Sequence, residues 1–185
     1  MEALVAERVG RLPMNEPAFL EFYARTSGPV SRYLRRLTRD AGVADDLLQD
    51  AYLRLLTAAN VPADDEHRKN YLFKIATNLA RDHFRRERRF VAHDPADDHR
   101  VSADDPGAAM DRADDVWTVL GRVTPRDREL LLLAYVEGLS HKEIAGITGL
   151  MRASLKPLLF RARRRFASAL EAWRAENGLP SERTS

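Results

Sequence analysis

Four side chains, Lys74, Asn78, Arg81 and Arg85, recur at spacings of 4, 3 and 4, the interval that stacks residues on one side of a helix. Such a polar, basic stripe can track a phosphate backbone, and Asn78 offers a base edge both a donor and an acceptor. A second basic series runs from Arg152 to Phe166, with six basic residues and no acid. Within it Leu155, Leu159, Ala162 and Phe166 fall at 4, 3 and 4 and form an anchoring stripe. That leaves Arg152, Lys156, Arg161, Arg163 and Arg164 wholly or partly outward, where arginine can bond guanine edges or phosphates. A third constellation is acidic: Asp46, Gln49, Asp50 and Leu53 share one helical face. An exposed leucine among acids suits a basic partner helix, the acids steering it and the leucine supplying apolar burial.

Hydrolytic chemistry fits less well. Asp45, Asp46 and Asp50 with a nearby histidine would be the makings of a metal-dependent phosphoesterase. Adjacent residues on a helix diverge by about 100 degrees, so Asp45 and Asp46 do not easily serve one ion. The five histidines, His67, His83, His93, His99 and His141, lack ligand spacing such as HExxH, and no glycine-rich phosphate loop occurs. The expectation is no enzyme, no metal and no cofactor.

Each binding stripe has a plainer reading. A charge run can be a solvated face, acids near a helix start are favoured by the helix dipole, and Tyr71, Phe73 and Phe84 can be core residues rather than base-stacking rings. Charge segregation weighs on the other side. Net charge is only +2, yet five arginines and two acids lie between Arg81 and Arg89, and eight aspartates and two arginines between Ala92 and Asp115. Two basic blocks flanking an acidic stretch suggest two polyanion-binding surfaces joined by a tether.

The elements that carry these stripes all read as helix, and no segment sustains strand alternation. The 185 residues can form one domain or two small ones. With no cysteine there is no disulfide framework or thiolate metal site. The longest apolar run, Leu130 to Val136, is too short to span a bilayer. The charge-interrupted MEALVAERVGRL does not read as a signal peptide, so the cytoplasm is the expected compartment, with no membrane insertion. Residues 15 to 40 predict a helix pair broken near Ser27-Gly28-Pro29. A third helix is expected from Asp45 to Ala58, then a loop from 57 to 69, then a long helix from Asn70 to Arg89.

The segment AHDPADDHRVSADDPGAAM, rich in aspartate and poor in apolar residues, reads as a flexible linker. Beyond it a short helix spans Asp114 to Val123. Thr124 is expected to cap the next, with Pro125 first in it and Asp127 three after the cap, and that helix runs through Leu130-Leu133 to Gly138. Ser140-His141-Lys142-Glu143 spells a capping box for a helix that ends at Gly149, with Ile144, Ala145 and Ile147 as anchors. A last helix reaches about Trp173. Two short helices around a tight glycine turn, the second basic, make a helix-turn-helix.

Three segments together resemble a known family. "VTPRDRELLLLAYVEGLSHKEIAGITGL" followed by "LLFRARRRF" is similar to region 4 of bacterial extracytoplasmic-function sigma factors, although Val123 stands where the family has leucine. "ADDLLQDAYLRLL" at 44 to 56 resembles their region 2.2, and "NYLFKIATNLARDHFRRERR" at 70 to 89 their regions 2.3 and 2.4. The resemblance covers roughly residues 15 to 173, with the motifs in the family's order.

It implies an all-α chain of two small helical domains joined by a flexible acidic linker. The divisions would be a tail 1–14, region 2 at 15–91, a linker 92–112, region 4 at 113–175 and a tail 176–185. It further implies that Asp46, Gln49, Asp50 and Leu53 grip the β′ clamp helices of core RNA polymerase, with region 4 on the β flap. Asn70, Tyr71, Lys74, Asn78, Arg81 and Arg85 would bind the non-template strand of the −10 element, and the loop before them would take an extruded base. Arg152, Ser154, Lys156, Arg161, Arg163 and Arg164 would bind the −35 element. An anti-sigma factor is implied as a further partner. The linker would keep the second domain at high effective concentration and thread toward the active-site channel, where its aspartates could mimic nucleic acid. A plain helix-turn-helix repressor would account for residues 124 to 173 but not for the acidic helix or the −10-type helix.

Pro157 departs from the family pattern. Interior proline loses a hydrogen bond and clashes with the preceding turn, at roughly 3 kcal/mol, and Met151 before it is a poor cap. Two accounts stand. Either Arg152 to Leu155 form a separate turn and the helix starts at Pro157, or one helix runs through and kinks at Ala153. DNA binding with shifted base-reading residues is expected, the alternative being an adaptor with degraded −35 reading.

Overall fold

The computed structural model describes residues 14–91 and 112–179, with side chains at 14–89 and 115–179. The expected linker, except its last residue, lies outside the described residues. The described chain is helical throughout, without strand, and divides into two compact units, one in each half.

The first unit holds three helices. Helix α1 (Glu16–Thr38) starts where the Asn15 side chain accepts from the Ala18 N–H at 3.0 Å, with Pro17 in the first turn. It ends at Arg39, whose φ of 63° turns the chain into the left-handed region. The predicted break at Ser27-Gly28-Pro29 is absent; Pro29 lies inside one continuous helix. Pro29 deprives only the Arg25 carbonyl of its helical donor, a loss of about 3 kcal/mol. Against that, Phe22, Val30, Tyr33, Leu34 and Leu37 are buried on both sides of it, each contributing about 1.5–3 kcal/mol. Burial wins.

Helix α2 (Ala41–Thr57) begins four residues before the expected Asp45, because Asp40 accepts from the Val43 N–H at 2.9 Å. Helix α3 (Asp65–Val91) begins five residues before the expected Asn70. Its cap is Asp64, whose carboxylate accepts from the N–H groups of Glu66 and His67 at 3.1 and 3.0 Å. These bonds, the His67 backbone N–H first, hold the Asp64 carboxyl below the usual range. The three helices close on Tyr33, which meets Phe73 edge-on at 5.4 Å and bonds Thr77 through its hydroxyl at 2.9 Å. Tyr52 bonds Thr26 at 2.7 Å, and burial pushes its phenol up to about 12.

The second unit starts with α4 (Arg112–Arg122). The buried Arg128 donates to the carbonyls of Leu120 and Gly121 at 3.0 and 2.8 Å, satisfying the open end of that helix. Thr124 caps α5 (Pro125–Leu131) as predicted, accepting from the Asp127 N–H. The expected α-helix to Gly138 instead widens into a π turn at Leu132–Val136, with the Glu137 N–H bonded to the Leu132 carbonyl at 3.0 Å. The wider turn buries Leu132 and Leu133 while Tyr135 and Val136 face outward. Helix α6 (His141–Thr148) carries the predicted capping box, Ser140 and Glu143 each accepting from the other's N–H, and ends at Gly149 with φ 72°. Helix α7 (Arg152–Glu176) is continuous through Pro157 and runs three residues beyond Trp173. The account in which it starts at Pro157 is therefore overturned: Leu155 is fully buried upstream of the proline and anchors the first turn. Met151 gives no side-chain cap. Arg165 pairs with the buried Asp127 at 2.8 Å and Arg122 with Glu176 at 2.7 Å, tying α7 to α5 and α4.

Candidate nucleic-acid and polymerase interfaces

Helix α2 separates its two faces cleanly. Ala51 and Leu55 are fully buried and Leu47 nearly so, with Leu48 half-buried. Asp46, Gln49 and Asp50 are exposed beside Leu53, which is 60% exposed. Leu53 therefore lies outside the first unit's core. Asp45, the neighbouring acid, instead accepts from Arg35 of α1 at 3.1 Å and is turned away from the Asp46 face. Among the described residues, no group of three or more His, Asp or Glu is placed to hold a metal ion.

On α3 the inward stripe is Leu72, Phe73, Ala76, Leu79 and Ala80, all buried, with Ile75 half-buried at its edge. Lys74, Asn78 and Arg85 are exposed, and Arg81, Asn70 and Tyr71 are half-buried. Arg85 also reaches Asp82 at 3.1 Å, an exposed pair of little energetic weight. Of the three candidate stacking rings, Phe73 is removed: it is fully buried against Tyr33. Tyr71 and Phe84 stay half-exposed. Because α3 starts at Asp65, Asn70 and Tyr71 lie in its second turn rather than at its first residue.

The loop before α3, residues 58–64, is held by a residue that the motif reading missed. Arg68 has a largely buried side chain that donates from Nε to the Pro62 carbonyl at 3.0 Å and from its terminal nitrogens to the Ala63 carbonyl and Asp65 carboxylate, both at 2.6 Å. Its guanidinium lies over the Phe22 ring, 5.6 Å from the centroid, and Asp65 also takes Arg25. An acid and an arginine three apart at a helix start were the available signal.

In the helix-turn-helix, Ile144 and Ile147 are buried and Ala145 half-buried; Leu155, Leu159 and Ala162 are buried and Phe166 half-buried. Arg152, Lys156, Arg161, Arg163 and Arg164 are all exposed and Ser154 is half-buried. Phe160 shares that outward side at 52% exposure, and Pro157 is exposed beside it.

The chain matches the Sigma-70 region 2 family over residues 22–90 and the Sigma-70, region 4 family over residues 113–166. It is 30% identical over 140 residues to the RNA polymerase sigma factor CarQ of Myxococcus xanthus, covering 73% of this chain and 79% of CarQ. It is 28% identical over 164 residues to the ECF RNA polymerase sigma factor SigC of Mycobacterium tuberculosis, covering 88% of each. The sigma factor RpoE of Bartonella quintana, solved with the anti-sigma factor NepR, shares the fold at a TM-score of 0.69 and 21% identity, over 83% of this chain and 97% of that one. CnrH, solved with the cytosolic domain of CnrY, superposes at 0.61 with 25% identity, over 85% and 90%. Two sigma regions in the family's order, carried on the helices described above, place this chain in the extracytoplasmic-function group of the sigma-70 family: it is an RNA polymerase sigma factor.

Proposed function

We propose that the chain directs transcription initiation through three surfaces with separate duties. Asp46, Gln49, Asp50 and Leu53 on α2 grip the β′ clamp helices of core RNA polymerase, while the second unit rests on the β flap. Asn70, Tyr71, Lys74, Asn78, Arg81 and Arg85 on α3, with the loop at 58–64, hold the non-template strand of the −10 element. Arg152, Ser154, Lys156, Arg161, Arg163 and Arg164 on α7 hold the −35 duplex. Melting needs no nucleotide hydrolysis, since binding of the freed strand offsets the unstacking of a base. The chain itself performs no catalysis.

The observation that carries this reading is Leu53, 60% exposed among acids on a helix whose opposite side packs into the core. None of those acids lies in the first turn of α2, where the helix dipole would favour them. Leu53→Ser in a pull-down with purified core polymerase is expected to weaken capture at least tenfold with the melting midpoint unchanged. Capture at the wild-type level would remove α2 from the interface.

No helix among the described residues is long and apolar enough to cross a membrane, which agrees with work in the cytoplasm beside the chromosome. The Bartonella factor was solved with the anti-sigma factor NepR, and CnrH with the cytosolic domain of CnrY. An anti-sigma factor is accordingly part of this proposal, tested by whether a co-expressed candidate competes with core for the chain.

A further inference from the structure

The outward side of α7 is not uniformly basic. Opposite the buried Leu155, Leu159 and Ala162 lie Ala153, Pro157, Phe160 and Arg164, at spacings of 4, 3 and 4, and all four are exposed. The first three form an apolar stripe along the N-terminal half of the helix, the part of a recognition helix that reaches base edges. Pro157 stands in its middle, with no N–H and only ring methylenes to offer. No hydrogen bond to a base edge is available at that point. Lys156, Arg161, Arg163 and Arg164 surround the stripe, all exposed, and no acid occurs from Arg152 to Phe166. The charge therefore selects a polyanion, while the apolar centre needs an apolar feature within that polyanion. In the major groove the base pairs present one such feature, the C5-methyl group of thymine.

We propose that Ala153, Pro157 and Phe160 read thymine methyl groups in the −35 duplex, with the surrounding basic residues on the phosphates. The inference rests on the assignment of α7 to that duplex and deepens it. Specificity at the positions facing the stripe is set by methyl contact rather than by paired hydrogen bonds to guanine. A wrong base there forfeits an apolar contact without stranding a buried donor, so discrimination is shallow, and affinity leans on phosphates and salt.

The test uses the full chain bound to core polymerase. Duplexes randomised upstream of a fixed −10 element are selected for binding, and each thymine in the selected −35 sequences is then replaced by deoxyuridine, which removes the methyl alone. The expected result is a loss of about fourfold in affinity per contacted methyl, the change given by burying one methylene-sized group, at one or two positions. In Phe160→Ala and Pro157→Ser holoenzymes that uracil penalty should shrink or vanish, while core binding holds and the melting midpoint does not fall. Selected sites lacking thymine, or indifference to uracil at every position, would overturn the proposal. So would initiation that ignores the −35 duplex altogether, which would assign the stripe to a protein contact; the sigma assignment would survive each of these results. A chain that fails to bind core would instead overturn the proposed function, and this inference with it.

Discussion

Helices α3 and α7 carry the two proposed nucleic-acid stripes, and they are built differently. The start of α3 is over-determined: Asp64 caps it, and Arg68 ties its first turns to the carbonyls of Pro62 and Ala63. Its outward stripe is hydrogen-bonding throughout. The start of α7 has no side-chain cap, contains Pro157 and shows an apolar stripe to solvent. The contrast fits the two kinds of nucleic acid proposed for these helices. A single strand offers unpaired edges and a flexible backbone, which reward fixed polar groups. A duplex offers a rigid groove, where shape, methyl groups and phosphates can suffice.

The two phenylalanines give the largest test. Phe73→Ala, on the inward side of α3, should destabilise the first unit by about 3–5 kcal/mol in urea denaturation. Phe160→Ala, on the outward side of α7, should shift stability by no more than about 0.5 kcal/mol and act on DNA binding instead. Equal stability losses would mean that Phe160 is a core residue and that the contrast is false.

Restoring a backbone donor at the prolines comes next. Pro157→Ala should stabilise the second unit by about 1–3 kcal/mol, below the full interior penalty because proline also restricts the unfolded chain. Pro29→Ala should gain less, since that ring is half-buried in α1 and its packing is lost.

A cap added where none exists should act more modestly. Met151→Ser is expected to stabilise α7 by about 1 kcal/mol. On the other helix the cap already works and carries a pH signature. The Asp64 carboxyl titrates below its usual range in the folded chain. Its contribution is thus complete above that range and is lost as pH falls through the lower folded value. Asp64→Asn, which still caps, should flatten this acid limb of the stability profile measured by thermal melting.

The smallest expected effects are in salt dependence. Lys74→Ala should lower the slope of log affinity against log salt by about 0.7 on a forked −10 substrate, and Arg163→Ala by about 0.9 on a −35 duplex. Equal slopes for both variants on both substrates would erase the single-strand and duplex assignments.

Much of this was readable in the chain. The stripes of α2, α3 and α7 follow from residue spacing because each helix buries one side, and the cap at Thr124 and the box at Ser140–Glu143 are local chemistry that tertiary packing left alone. What escaped was decided elsewhere. Pro29 reads as a break, but it sits between residues that the first unit buries, and burial outweighed it. The start of α3 was hidden because Asp64 lies in a polar stretch, PADDEHR, that reads as loop until its cap is seen. The π turn at Leu132–Val136 leaves no mark in the sequence: Leu130 to Leu133 are all buried, and their run reads equally well as an uninterrupted α-helix. Phe160 was passed over although its register, opposite the stripe of Leu155, Leu159, Ala162 and Phe166, already separates it from Phe166.

The account stands on one activity. Run-off transcription on a supercoiled promoter template selected with the holoenzyme, using purified core polymerase with and without the chain, tests it most directly. A discrete transcript from a single start site is expected only when the chain is present, and it is lost with Leu53→Ser. Core polymerase that gives the same products with and without the chain would contradict it.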